Sequence, residues 1–249
     1  MQVSTILDCA RDDYLADNRL INNTGDDEQL WDTDSLLRKI NEAQRQACNR
    51  ANLIYDDSTP RYTQIVLVAG KASYSFDQKL TVIERIILRN KLIHKKTVEE
   101  LDKRIPTWRT DSGMLNKEIH ATIKGRNISF TPIPDATDAG SIVYLETYRL
   151  PDNDLMLLSD EPEIPEENHR DLVYWILHEA YKKQDADTFQ QEKSDYYLGR
   201  FIEIFGPYVP ARVRQHQFEN PKSLEFRPRH VMFNDYTSNT GVSDDDSCW

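Results

Sequence analysis

The spacing of apolar residues changes twice along this 249-residue chain, and this change constrains the fold more than any single motif does. Apolar side chains recur every three or four residues up to about residue 54, and they alternate from about residue 62 to 150. Helical spacing returns after Glu166, and beyond Pro207 neither period is present. This order predicts an α+β fold: an antiparallel helical bundle with an inserted, mainly antiparallel β-sheet region and an extended C-terminal arm.

The chain divides where the period changes. We expect N-terminal helices of the bundle over 1–61, a β-rich insertion over 62–150, C-terminal helices over 151–208 and an extended docking arm over 209–249. Each helical region carries an apolar stripe, so the two regions should pack together with the sheet at one end. A folded chain of this size buries roughly 70–75% of its unfolded surface, so the core needs neither a disulfide nor a metal.

Four helices are expected from the apolar stripes. The first begins near Val3, and a turn-forming loop, Asn18 to Asp32, separates it from the second, which Asp34 or Ser35 caps. The inward residues of the second helix are Leu36, Ile40, Ala43, Ala47, Ala51 and Ile54. The third helix begins near Glu166. The fourth spans 186–205 and ends at Gly206-Pro207, and its inward residues are Phe189, Tyr196, Tyr197, Phe201 and Ile204.

Alternating runs in the middle region predict five or six strands. One hairpin is expected between 63–69 and 72–76, and another between 118–124 and 128–131. The further elements expected are strands at Thr81–Arg89, Leu92–Lys95 and Ser141–Tyr148, and a helical turn at Val98–Lys103.

No catalytic, cofactor-binding or metal-binding motif is present. The 8 glycines form no phosphate-binding pattern, and the 3 cysteines form no CxxC pair. His178-Glu179 begins like a zinc-binding HExxH motif, but Lys182 stands where the second histidine would be. We therefore predict no catalytic residue, no cofactor and no metal.

Charge is distributed unevenly along the chain. The net charge is −11: residues 1–208 carry −10, residues 209–233 carry +3 and residues 234–249 carry −4. An acidic body repels phosphates, which argues against specific nucleic-acid binding. A basic, aromatic-rich arm on such a body is suited to docking on an acidic neighbour. The mean hydropathy of −0.69 and the lack of an apolar run near ~20 residues argue against a membrane span.

Six short segments then stand in a characteristic order. They are a helix at Leu36–Arg45, a hairpin at Val68–Phe76, a loop at Trp108–Gly113, a run at Ile128–Pro134, a strand ending at Tyr148–Pro151, and Ile164–His169 before a helix. Together, over about residues 30 to 205, they resemble the head-to-tail adaptor proteins of tailed bacteriophages.

The resemblance implies a structural virion protein and no enzyme. It implies a homo-oligomeric, twelvefold ring in the neck, between the portal protein and a tail or nozzle protein, with double-stranded DNA passing through without specific binding. Synthesis would take place in the host cytoplasm, and no membrane is involved. A cyclic ring needs two unlike patches on each copy, and we expect one on a sheet edge and one on the helices.

The same resemblance implies a C-terminal extension that reaches the portal, which the arm would supply. The expected partner-binding residues are Arg212, Arg214, Phe218, Leu224, Phe226, Arg227, Arg229 and Phe233. The aromatic residues would anchor the contact, and the arginines would pair with acidic groups.

Two other functions remain open from the sequence. A carboxylate-dependent cell-wall hydrolase needs two carboxyl groups held ~5–9 Å apart, and Glu42 and Glu146 are candidates. A cellular scaffold with a docking arm would share every feature except its genetic neighbours.

Overall fold

The computed structural model describes residues 1–15, 31–183 and 189–219. Within them the chain has the mixed α+β fold that the change of period predicts. A turn-forming loop was expected at Asn18 to Asp32, and its residues up to position 30 lie outside the described residues. None of the helices in the described ranges has both the length and the apolar character needed to cross a bilayer.

Seven α-helices occur in the described ranges. They are α1 Val3–Cys9, α2 Thr33–Ala51, α3 Pro60–Thr63, α4 Val98–Arg104, α5 Leu172–Tyr181, α6 Gln191–Phe205 and α7 Ala211–Glu219. A π-helical segment, Ala10–Leu15, continues α1, and a 3-10 turn, Glu166–Asn168, precedes α5.

The second helix begins and ends slightly differently from the prediction. Its N-cap is Asp32, whose carboxylate accepts a hydrogen bond from the Ser35 amide at 3.1 Å, and not Asp34 or Ser35. Asn52, with φ of 50°, ends the helix in the left-handed conformation. As a result Ala51 is exposed, and Ile54 belongs to the following strand.

In the described part of the chain, nine strands form two sheets. They are β1 Ile54–Asp56, β2 Gln64–Val66, β3 Ser73–Ser75, β4 Leu80–Leu88, β5 Lys91–Leu92, β6 His94–Lys95, β7 His120–Lys124, β8 Asn127–Thr131 and β9 Ile142–Arg149. The first sheet has the order β1-β9-β4-β5, with β2 also paired to β9, and the second has the order β3-β8-β7-β6. Every pair is antiparallel except β6 with β7, so the expectation of mainly antiparallel sheets is confirmed.

One of the two expected hairpins is wrong. The strands predicted at 63–69 and 72–76 do not pair: β2 pairs with β9, and β3 pairs with β8 in the other sheet. Pairing with β9 sets Ile65 opposite Val143, and both side chains are buried on the inner face. A local turn at Gly70-Lys71 therefore connects two sheets instead of two neighbouring strands. The expected hairpin of β7 and β8 is confirmed.

The inner faces of the two sheets share one apolar core. Ile86 and Val143 contribute from the first sheet, and Ile128 and Phe130 from the second. Alternation along β9 makes this possible, because Val143, Leu145, Thr147 and Arg149 are buried while the residues between them are partly or fully exposed.

The helices form a second core, in which α5 contacts α1, α2 and α6. Leu36 and Ile40 of α2 and Ile176 of α5 are fully buried there, as expected from their spacing. On α6 the apolar face is narrower than predicted. Phe201 and Phe205 are buried, but Tyr196 and Ile204, which were expected to point inward, are exposed. Phe189, also expected to point inward, is exposed and precedes the helix, which begins at Gln191. The predicted start of this helix, 186–188, lies outside the described residues.

A buried ion cluster joins the two cores. The guanidinium of Arg149 on β9 donates to Asp56 of β1 at 2.6 Å and to Glu163, in the loop before α5. The Glu163 amide in turn donates to the side chain of Gln44 on α2 at 2.6 Å. This chain of contacts fixes the end of the sheet against the helices.

The arm expected to be extended from 209 onward begins as a helix. Residues Ala211–Glu219 form α7, and the rest of the expected arm lies outside the described residues.

Candidate functional site

The sequence prediction placed the partner-docking residues on the C-terminal arm, and the structure describes three of them. Arg212 is exposed on α7, and Arg214 is partly buried on the same helix. Phe218 lies in the last turn, but its side chain is outside the described set. The remaining predicted residues, Leu224, Phe226, Arg227, Arg229 and Phe233, lie outside the described residues.

The helix α7 rests against the sheets through polar contacts. At its C-terminal end, Glu219 accepts a hydrogen bond from the Gly125 amide in the β7–β8 turn at 2.8 Å. In its first turns, the Arg214 guanidinium donates to the side-chain oxygen of Asn49 on α2 and lies 5.7 Å from the ring centre of Tyr208. These contacts set the position of the helix near β4 and β7.

A cleft of about 340 Å³ remains between α7 and the body. Leu80 and Leu150 line its apolar part, and Arg214 and Gln215 line its helix side. None of the α7 side chains that the structure describes is buried. Because no buried apolar face adds to these polar contacts, α7 is attached less firmly than the helices of the core.

A signal for this helix was present in the sequence, but it was not apolar spacing. The segment Ala211–Glu219 contains Ala, Arg, Gln and Glu, which favour helices, and Pro210 stands just before it. The Pro210 carbonyl accepts hydrogen bonds from the amides of Val213 and Arg214 at 2.9 and 3.0 Å. The apolar spacing did not predict this helix, because the helix buries no stripe of apolar side chains.

His178, which begins the incomplete HExxH motif, and His120 pack inside the protein. His178 on α5 is buried, and its Nδ1 lies 2.9 Å from the hydroxyl of Ser194 on α6. That hydroxyl also donates to the His178 carbonyl at 3.0 Å, so the pair ties two helices together. Burial lowers the pKa of His120 on β7, which favours its neutral form.

The two carboxylates considered for hydrolysis have ordinary structural partners. Glu42 accepts a hydrogen bond from Gln46 one turn further along α2 at 2.7 Å. Glu146 on β9 lies 3.6 Å from Arg85 on β4, directly opposite it in the sheet register. Within residues 1–15, 31–183 and 189–219, no group of three or more His, Cys, Asp or Glu side chains is placed to hold a metal.

The described thiols are held in their neutral form. Burial raises the pKa of Cys48 on α2 to about 12, with Glu163 nearby adding to the effect. Burial also raises the pKa of Cys9, and its thiol donates to Asp13 at 3.1 Å. Because the thiolate is the nucleophile, neither cysteine is activated for chemistry at neutral pH.

Comparison with protein families shows which class of protein this chain belongs to. The class is that of phage head-to-tail adaptor proteins, structural components of the virion that interact with other head and tail parts. Within that class the chain belongs to the SU10 adaptor protein family, whose model matches residues 1–222. The matched range includes α7 and ends three residues beyond it. Among curated proteins no match was found.

Proposed function

We propose that this adaptor forms a closed ring in the neck of the virion, between the portal and a tail or nozzle protein, and that it docks to the portal through residues 209–233. The observation that carries the proposal is the attachment of α7. This helix lies inside the family match, yet none of its described side chains is buried, and it contacts the body through polar side chains such as Arg214 and Glu219. A helix attached in this way can be repositioned on a partner at little cost.

Sequence charge supports the same assignment. Residues 209–233 of the arm carry +3 beside a body of −10, so an acidic partner attracts this segment and not the body. The acidic body also suits a channel for DNA, because a wall of like charge does not retain the passing phosphates. On this proposal the ring performs no catalysis, and double-stranded DNA passes without specific binding.

The test is a binding experiment between the purified chain and the portal protein of the same virus. We expect the wild-type chain to bind and a chain ending at residue 208 to lose binding. A variant with Arg200→Met, which changes an exposed arginine on α6, is the matched control and should bind like wild type.

The salt dependence of binding distinguishes the two kinds of contact proposed for the arm, arginine pairs and buried aromatic contacts. Raising the salt concentration should weaken binding only moderately, because screening acts on arginine pairs and not on buried aromatic contacts. Full binding by the chain ending at 208 would refute the role of the arm.

A further inference from the structure

A run of three apolar residues projects from the loop between β9 and the 3-10 turn. Met156, Leu157 and Leu158 are 74%, 63% and 45% exposed, and we refer to them as the apolar tip. Isolated exposed apolar residues are common on soluble proteins, but a contiguous projecting cluster marks an interaction surface.

The apolar tip is held in a defined shape. The Asp160 carboxylate accepts hydrogen bonds from the amides of Met156 and Leu157, each at 2.8 Å. Just before the tip, the Asn41 side chain on α2 both donates to the Leu155 carbonyl and accepts from the Leu155 amide, at 2.9 and 2.8 Å. A loop that is already ordered loses little further entropy on binding.

The surroundings of the apolar tip are acidic. Residues 151–167 contain seven Asp and Glu side chains and no basic residue. Three of these acids already pair with arginine or lysine in the same chain: Asp152 with Lys79, Asp154 with Arg45, and Glu163 with Arg149. Glu161, which lies 3.8 Å from the terminal amine of Met1, and Glu167 are exposed. The acids of this segment outnumber their cationic partners, so the segment around the tip stays negative.

A groove at the edge of the first sheet has the opposite character. It has a volume of about 470 Å³ and lies between β5, which is the edge strand, and residues 114–119. Leu92 and Leu115 are 53% and 62% exposed on its two sides. Arg89, Lys91 and Lys117 line it with His94 and the acid Glu118. Arg89 and Lys117 pair with Asp138 and Asp111 of the same chain, so Lys91 carries the basic character of the rim.

This groove is preformed. The carboxylate of Asp138, which is fully buried, accepts a hydrogen bond from Arg89 on one wall and from the Met114 amide on the other, both at 2.9 Å. One buried side chain therefore fixes the spacing of both walls. On an otherwise acidic protein, a rigid apolar groove with a basic rim selects an apolar ligand with acidic flanks.

We propose that the apolar tip of one copy binds in this groove of the next copy. The two surfaces match in apolar character and are opposite in charge. Both belong to one chain, and they are unlike each other, which is the condition for a head-to-tail contact that closes into a ring. The inference rests on the self-assembly part of the proposed function and adds the residues that make the contact.

Cross-linking between two different variants tests the contact directly. Leu157→Cys and Leu115→Cys chains are mixed with the portal protein of the same virus and treated with a short bismaleimide. We expect a covalent dimer in the mixture at several times the yield of either variant alone, because the tip meets the groove and not another tip. The matched control replaces Leu115→Cys by Tyr196→Cys, an equally exposed site on α6, and wild type gives the background from the native cysteines.

Charge substitution gives a second, independent readout. Leu157→Asp should weaken self-association about tenfold or more, as expected for an interface anchor, while Tyr196→Asp should leave it unchanged. If wild type assembles but cross-linking stays at the control level and Leu157→Asp assembles normally, the ring stands and this contact is refuted. If wild type stays monomeric even with the portal protein, both the contact and the proposed ring fail.

Discussion

Gly113 occupies a backbone position that other residues adopt only with strain. Its φ is +82°, and a Cβ placed there would lie 2.8 Å from the Asp135 carboxylate. We expect Gly113→Ala to lower the free energy of unfolding by at least about 1–2 kcal/mol, the cost of the left-handed conformation. Urea denaturation followed by circular dichroism measures this change.

Gly199 provides the matched control for that substitution. It lies in α6, and a Cβ there meets no atom within 4 Å. Gly199→Ala should therefore raise the free energy of unfolding by about 0.5–1 kcal/mol. If the two alanine variants have equal free energies of unfolding, the backbone at Gly113 does not require glycine.

The buried cluster around Arg149 predicts a large loss of stability when the arginine is removed. Arg149→Met leaves Asp56, whose side chain is 3% exposed, without its cationic partner. Breaking a buried pair from one side costs about 3–5 kcal/mol, so the midpoint of urea unfolding should fall strongly. Arg200→Met breaks an exposed pair with Glu203 on α6 and should change the midpoint little. Similar midpoints for the two variants would argue against the cluster as the link between helices and sheets.

The same cluster makes the free energy of unfolding depend on pH. Burial alone would raise the pKa of Asp56, but hydrogen bonds from Thr59 and Arg149 outweigh it and hold the pKa below its ordinary value. The folded state therefore favours the charged carboxylate. Its contribution to stability is complete at neutral pH, and it is lost as the pH falls below about 4 toward the lower, folded-state pKa.

Replacing this carboxyl group tests the pH dependence. Asp56→Asn should be less stable than wild type at neutral pH, and the difference between them should shrink as the pH falls through that range. Urea unfolding at a series of pH values gives both curves. A difference that stays constant down to about pH 3 would mean that Asp56 does not supply the acid dependence.

At the scale of secondary-structure elements, the exposure of the α7 side chains predicts that residues 1–208 fold without the arm. No described side chain of α7 is buried, so a chain ending at residue 208 loses no described core contact. We expect its Tm to shift by less than about 4 °C, equivalent to about 1 kcal/mol for a protein of this size. Differential scanning calorimetry measures the shift. Loss of the cooperative transition would show that the arm is part of the structural core.

Long elements with one clear period and the local β7–β8 hairpin were predictable from the sequence, but the pairing of strands far apart in the chain was not. Both β4 and β9 were found because their β-rich runs span most of eight or nine residues. The pairing of β2 was missed because it joins residues such as Ile65 and Val143, which are far apart in sequence. Local spacing identifies a strand, but its neighbour is decided by which long-range pairing buries more apolar surface.

The surfaces proposed for assembly were beyond sequence reasoning for a different physical reason. Three adjacent apolar residues such as Met156–Leu158 look the same in sequence whether they are buried or exposed. The groove joins residues 88–94 with 114–119, and only the folded chain brings them together.

For the whole molecule, the proposed ring has to bring many copies of an acidic chain together. With −11 per chain, like-charge repulsion opposes such a ring. On our proposal, buried apolar contacts and local pairing of opposite charges between the apolar tip and the groove overcome this repulsion. Residues 209–233, which carry +3, would then contact a partner that is not another copy of the body.

Electron microscopy of the complex between this chain and the portal protein of the same virus tests the central claim most directly. We expect a closed ring of this chain on one face of the portal, with residues 209–233 in contact with portal subunits. A portal that remains bare while this chain stays monomeric, or a ring whose residues 209–233 touch no portal subunit, would contradict the account.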